Sequence, residues 1–259
     1  MDETGKTVQA LIEARRGTGP YSLPDAMVGA SLVEAYALQD AYAAAIAAEA
    51  GGIGGYKLAA NSAAQMAHFS VAEPVCARIA GGEIHASGAT LEAGGFDRVV
   101  VEPELAAVLG DGVTAGAPFD RAGTLAAIDR FHAAIELIDF RGRSLPDGTL
   151  SEAVALNVYN AGIVLGRAQI APEALDLPGL HVTLSYDGTQ VAEATGNAPQ
   201  DPIEGVMWLL NHLAGRGIAA QPGMVIMCGT HIPPRPVEAD TRRVEISMGP
   251  LGEVGFSLG

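Results

Sequence analysis

Three consecutive valines, Val99 to Val101, run directly into Glu102-Pro103-Glu104 and on through Leu105 to Leu109. No other stretch constrains the chain as much. An apolar run of this kind, opened by β-branched residues, reads as a strand. Side chains two apart on a strand share a face, so Glu102 and Glu104 project together. Paired carboxylates among apolar neighbours repel, and one takes up a proton unless a cation relieves the conflict. Pro103 has no N–H for a strand ladder, which points to a sheet edge or a bulge. Taken alone, the pattern also fits two acids on a solvated strand face.

A second oddity narrows the choice. Glu136 lies in AAIELIDF, flanked by apolar residues in a predicted strand. A carboxylate there is costly unless it is paired, protonated or ligated. Three carboxylates with open positions for water and substrate suit Mg²⁺ or Mn²⁺. Lys57 in GGYKLAANS follows a glycine-rich turn at the start of a predicted strand. It fits a solvated edge charge, a cation beside a substrate carboxylate or enolate, or an acid–base lysine.

The rest of the chain frames these residues. Residues from about Thr7 to Arg16 read as a helix. Ser31 and Glu34 form a capping box that opens a second helix, with Gly51 as its stop. FDRAGTLAAIDRFHAA reads as a helix and IELIDF as the strand after it. VYNAGIVLG, HVTLSYDGTQV, GMVIMCG and RRVEISMG read as strands, with Asp187-Gly188 as a hairpin turn. Asp201, Pro202 and Glu204 mark a further helix start. The expected layout is an N-terminal helical region, 1–50, and a β-rich catalytic body, 51–259.

Composition excludes several roles. With 49% hydrophobic and 17% charged residues, the 259-residue chain is globular. A net charge of −15 repels nucleic acid and anionic membranes. An acidic protein binds an acidic substrate only through a local metal or cation. Cys76 and Cys228 form no CxxC pair and read as buried thiols of a reducing compartment. The N-terminus MDETGKTVQA has no signal-peptide pattern and no apolar run reaches membrane-spanning length, so a cytoplasmic location is expected.

The ordered series GYKLA, VEPELAAVLG, IELIDFRG, NVYNAGIVLG and GNAPQDPIEGVMWLLNHLAGRGIAAQPGMVIMCGT resembles the 2-keto-4-pentenoate hydratase / 4-oxalocrotonate decarboxylase family, within the fumarylacetoacetate hydrolase superfamily. The resemblance spans nearly the whole chain, including LIEAR and AYALQDAY. It implies an α+β fold, a mixed β-roll core of the fumarylacetoacetate hydrolase C-terminal type with an N-terminal helical region. It implies metal ligation by Glu102, Glu104 and Glu136, and catalysis by Lys57. It places Gly229 and Thr230, with Cys228, over the substrate. The implied activity is that of a Mg²⁺- or Mn²⁺-dependent lyase on small 2-oxo or 2-hydroxydienoic acids: first a hydratase, alternatively a 2-oxo acid decarboxylase, or else a non-catalytic or altered-specificity partner subunit. A homo-oligomer, and a hydratase–decarboxylase complex, are the implied assemblies.

Three positions depart from the family pattern. Val75 stands about where the family carries an acid, and Leu156 and Tyr159 replace the acid and serine around the retained Asn157. Tyr159 and His231, the latter on the loop after Gly229-Thr230, are therefore candidate proton-transfer groups. Asn61 and Ser62, just past Lys57, and Arg141, after the Glu136 strand, are candidate substrate contacts, as is Asn157. His68, His85, His132, His181 and His212 show no metal-ligand spacing. GGIGG precedes a strand rather than a helix and is no dinucleotide loop.

Overall fold

The structure, a computed structural model, describes residues 2–17, 19–115, 117–143 and 148–259. Its elements in chain order are α1 (Glu3–Arg16), α2 (Leu32–Glu49), β1 (Ile53–Ala59), α3 (Ala63–Phe69), β2 (Val75–Ala80), β3 (Ile84–Ala86), β4 (Thr90–Leu91) and β5 (Val99–Leu109). There follow α4 (Arg121–Ala127), β6 (Ile128–Asp139), α5 (Leu150–Ala155), β7 (Asn160–Ile170), β8 (His181–Tyr186) and β9 (Thr189–Thr195). The chain ends with α6 (Pro202–Gly215), β10 (Val225–Thr230), β11 (Arg235–Pro236), β12 (Arg243–Met248) and β13 (Glu253–Leu258).

Two sheets form the body. The larger runs β2-β1-β10-β5-β6-β7-β3, with β11 also pairing β5. The smaller runs β4-β13-β12-β8-β9. The larger sheet curls until β2 packs on β7. The odd-numbered side chains of β5, such as Val101, Leu105 and Ala107, join one apolar cluster with Val244, Ile246 and Phe256 of the smaller sheet. The even-numbered side chains point into the roll, where Ala106, Val108, Ala134, Ile163 and Met227 pack together. Burial on both faces explains why β5 and β6 read as continuous apolar runs rather than alternating ones.

The N-terminal helices close one side. α1 packs on α2, and α2 on β2 and α5. The capping box at Ser31 and Glu34 forms as expected. Buried Gln39 donates to Cys76 O at 3.0 Å and Val154 O at 2.9 Å, stitching α2 to β2 and α5.

Several expectations are corrected. The helix read over FDRAGTLAAIDRFHAA is only α4, and the strand begins already at Ile128. Ile128, Phe131 and the small Ala133 and Ala134 are each buried against partner strands, and pairing overrides their helical spacing. Pro103 is not on a sheet edge: β5 lies between β10 and β6. Its missing N–H falls in the gap between β10, which pairs from Glu104 onward, and β11, which pairs Val100 and Val101. Asp201 caps α6 through Ile203 N, but Glu204 turns outward to Arg121 instead of completing a box. The helices α3 and α5 and the strand β13 carried no sequence expectation.

Candidate active site

The strand register brings the three carboxylates together. Glu102 on β5 pairs directly with Glu136 on β6, and Glu104 lies two residues along the same face. One carboxylate oxygen from each lies within 4.8 Å of the others. Glu104 and Glu136 are buried and Glu102 is half-buried. Lys57 joins through register as well: it pairs with Met227 of β10, which pairs with Ala106 of β5, on the inward face. Its ammonium donates to Glu136 Oε1, and both side chains are about 2% exposed. Lys57 therefore lies inside the roll between β2 and β10, and the solvated-edge reading does not hold.

β10 supplies the next part. Between Met227 and Thr230 it carries one residue more than β5 opposite, a bulge. The bulge turns the Gly229 N–H out of the ladder and onto Glu104 Oε2, at 2.8 Å. Gly229 has φ of +107°, and a Cβ there would lie 2.5 Å from both Asn61 Nδ2 and Pro199 Cγ. Only glycine fits this approach. Asn61 closes it from β1's end, donating to Cys228 O at 2.9 Å.

Three acids face one lysine, and the imbalance shows in their protonation. Burial first, then the charge of Glu136, pushes Glu102 up to about 8. Glu104 is pushed well above the usual carboxylate range by burial, Glu136 and Glu102, against the opposing pulls of the Gly229 N–H and the Lys57 charge. Glu136 is raised by burial and pulled back by Lys57. Three clustered carboxylate donors with one compensating ammonium fit a divalent cation: oxygen ligands of this kind are those that Mg²⁺ and Mn²⁺ take. Among the described residues this is the only group of three or more His, Cys, Asp or Glu side chains so placed.

The acids open into a cavity lined by Lys57, Asn61, Gly229, Thr230 and Tyr159 among the expected residues. Leu58, Phe69, Ile138, Phe140, Leu150 and Val158 supply most of its remaining wall. Tyr159 enters through an unusual turn. Asn157, Val158 and Tyr159 all adopt left-handed conformations, with φ of 54°, 46° and 54°. For β-branched Val158 this is strained, of order 1–3 kcal/mol. Asn157 holds the turn by bonding both ways to the Arg78 backbone of β2, at 2.8 Å each. Burial pushes the Tyr159 hydroxyl up to about 12, so it stays a proton-bearing donor. Nothing in the sequence marks Val158 as lining: a run of left-handed residues has no side-chain signature when glycine is absent.

Other expected residues lie elsewhere. Ser62 does not line the cavity; its hydroxyl caps α3 in a box with Gln65. Arg141 does not reach the cavity either. Its guanidinium is engaged by Asp139 and by the carbonyls of Ala14, Gly17 and Gly95, where it ties the N-terminal helix to the sheet. Asn157 contacts β2 rather than the cavity. His231 is buried beside β5, with its backbone N–H on Pro103 O at 2.9 Å and its carbonyl held by Asn197. Burial lowers its imidazole to about 4. It does not line the cavity. Val75 and Leu156 are core residues outside the lining, although Val75 pairs with the cavity-lining Ala59 of β1.

The chain is similar to known proteins over most of its length. The chain is 28% identical to the 2-oxo-hept-4-ene-1,7-dioate hydratase of Escherichia coli over 233 residues, 86% of this chain and 85% of the relative. It is 31% identical to the 2-hydroxyhexa-2,4-dienoate hydratase of Comamonas testosteroni over 159 residues, 59% and 58% of the two chains. Its fold matches 4-oxalocrotonate decarboxylase from Pseudomonas putida G7, complexed with magnesium and adipate, with a TM-score of 0.86 at 22% identity, covering 99% and 97% of the chains. The sequence profile of the fumarylacetoacetate (FAA) hydrolase C-terminal family matches residues 42–257, which include every cavity-lining residue and all three clustered acids, and the chain belongs to that family.

Proposed function

We propose that the protein is a divalent-metal-dependent lyase acting on small 2-oxo or 2-hydroxydienoic acids, and first of all a hydratase of the 2-hydroxypenta-2,4-dienoate type. The observation that carries this reading is the convergence of Glu102, Glu104 and Glu136 beside Lys57 at the head of a largely apolar cavity. The two hydratases among its relatives, with the profile match across most of the chain, support it.

A bound Mg²⁺ or Mn²⁺ would supply Lewis-acid polarisation of a 2-oxo acid's carboxylate and 2-oxygen. The chain's own residues do the rest. The Gly229 N–H fixes the orientation of Glu104. Lys57 neutralises Glu136 and stands as the cavity's proton carrier, able to deliver a proton to the dienol carbon chain once Glu136 is otherwise engaged. Tyr159, protonated throughout the working range, donates a hydrogen bond to a substrate oxygen or to the attacking water. The apolar walls hold the substrate's carbon chain and limit water around it. We read Asn61 and Thr230 as the polar contacts that orient the substrate's head.

The assembly is proposed to be a homo-oligomer working in the cytoplasm, in keeping with two buried free cysteines and with no described helix long and apolar enough to cross a membrane. Light scattering tests the oligomer. The decisive assay follows the loss of the dienoate's ultraviolet absorbance on adding Mg²⁺-loaded protein, beside 4-oxalocrotonate as a carboxy-lyase substrate. Metal-dependent hydration of the dienoate is expected. Metal binding with no turnover of either acid would contradict the enzyme reading and favour a non-catalytic subunit.

A further inference from the structure

The cavity has a charged head and no second cation. Among its lining residues only Lys57 carries a positive charge, and Glu136 already engages it. A substrate's tail meets apolar or neutral side chains beyond the head. Along β6, Ile138 lies two residues past Glu136 on the same face, about 7 Å away at strand rise, with Phe140 beyond it. Leu150, Val158 and Phe69 add further apolar lining. The remaining polar groups are neutral: Asn61, Gln65, Tyr159 and Thr230. Arg143, the arginine whose charge reaches Tyr159, is turned onto Glu152 at 3.6 Å and Tyr21 O at 3.1 Å. The residues outside the description, Met1, Thr18, Gly116 and Ser144–Asp147, include no Lys, Arg or His.

The charge balance sharpens the point. Three carboxylates are offset by Lys57 and a divalent cation, so a substrate's first carboxylate already leaves the head one charge negative. A second carboxylate buried in this cavity would gain no cationic partner and would incur desolvation and repulsion. The protein's net charge of −15 adds to the repulsion on approach.

We infer that the site selects 2-oxo and 2-hydroxydienoic monocarboxylates with an uncharged, apolar tail and rejects dicarboxylates of the same length. The inference rests on the metal-dependent 2-oxo acid reading of the site. Of its hydratase relatives, this aligns the chain's preference with the one named for a hexadienoate rather than the one named for a dioate.

The test is a calorimetric titration of the Mg²⁺-loaded protein with 2-oxohexanoate and with 2-oxoadipate, which differ by a terminal carboxylate. The monoacid is expected to bind about tenfold tighter or more, the size of a charge left without a partner. Phe69 ends the exposed helix α3, is only half-buried and packs against the rim of the main core, so Phe69→Arg places a cation on the wall and Phe69→Leu controls for the altered packing. That variant should narrow the ratio at least severalfold in favour of the diacid, and Phe69→Leu should not. Equal or tighter binding of 2-oxoadipate to the unmodified protein, or an unchanged ratio in Phe69→Arg, overturns the inference. Binding of neither acid while Mn²⁺ still binds, read by its electron paramagnetic resonance signal, overturns the 2-oxo acid reading itself.

Discussion

Two antiparallel strand pairs in this molecule carry acidic residues at inward and outward positions, and they treat them differently. In the β8–β9 hairpin, Glu193 lies at the surface, with its side chain 59% exposed and 3.6 Å from His181. Such a pair is worth little in either direction. In β5–β6, Glu102, Glu104 and Glu136 face the interior of the roll, and two of them are buried. The backbone ladder is of the same kind. Burial, cross-strand register and one lysine turn the second set into a site whose acids resist ionising together. A strand pair becomes chemical when its acids cannot reach solvent and have too few cations to pair with.

The contrast can be broken most severely by removing the cation. Chelation should take turnover down by several orders of magnitude, the scale of lost Lewis-acid stabilisation, with recovery on adding Mg²⁺ or Mn²⁺. Initial rates before and after dialysis measure this. Next, Lys57→Ala should lower turnover by about two orders of magnitude or more while Mn²⁺ still binds. Steady-state kinetics with near-unchanged rates would reduce Lys57 to a structural counter-charge.

A smaller effect separates the buried and exposed histidines. His231 is held neutral, its imidazole lowered to about 4 by burial, against about 6.5 in the unfolded chain. The unfolded state therefore binds the extra proton first. Stability is full above about 6.5 and falls as pH drops from there towards 4. The loss at pH 5 is about 2 kcal/mol. Denaturant unfolding of His231→Asn should show a shallower decline between pH 7 and 5. His181→Asn, on the exposed hairpin, should stay within about 0.5 kcal/mol of the parent. Tyr159→Phe should cost about tenfold in turnover, the loss of one hydrogen-bond donor, with metal affinity unchanged.

How much of this could be read from the sequence differs by residue. Glu102, Glu104 and Glu136 were legible because acids inside apolar strands conflict with burial. Lys57 was legible only as one of three roles, since its burial follows from β1 lying between β2 and β10, a parallel-and-antiparallel arrangement that local pattern does not encode. The strand part of 128–134 was hidden because alanines suit a helix and pack equally well between strands. Arg141 and Ser62 misled by sequence proximity. Each follows a site residue closely, yet Arg141 turns to carbonyls of the N-terminal segment and Ser62 to its own helix end. His231, beside Gly229 and Thr230 in sequence, is drawn into the core by its backbone bond to Pro103. The bulge at Cys228–Gly229 and the left-handed turn at 157–159 are backbone events. Gly229 hinted at the first, and no side chain hinted at the second.

The central claim is that the acids of β5 and β6 hold one divalent cation. Its most direct test is a calorimetric Mn²⁺ titration of the parent protein, Glu104→Gln and, as the surface control, Glu193→Gln. One ion per chain is expected for the parent and for Glu193→Gln. Glu104→Gln should keep its fold by circular dichroism and lose binding by at least about a hundredfold, since it removes a charged ligand and not merely an outer partner. Unchanged Mn²⁺ affinity in Glu104→Gln would contradict the account.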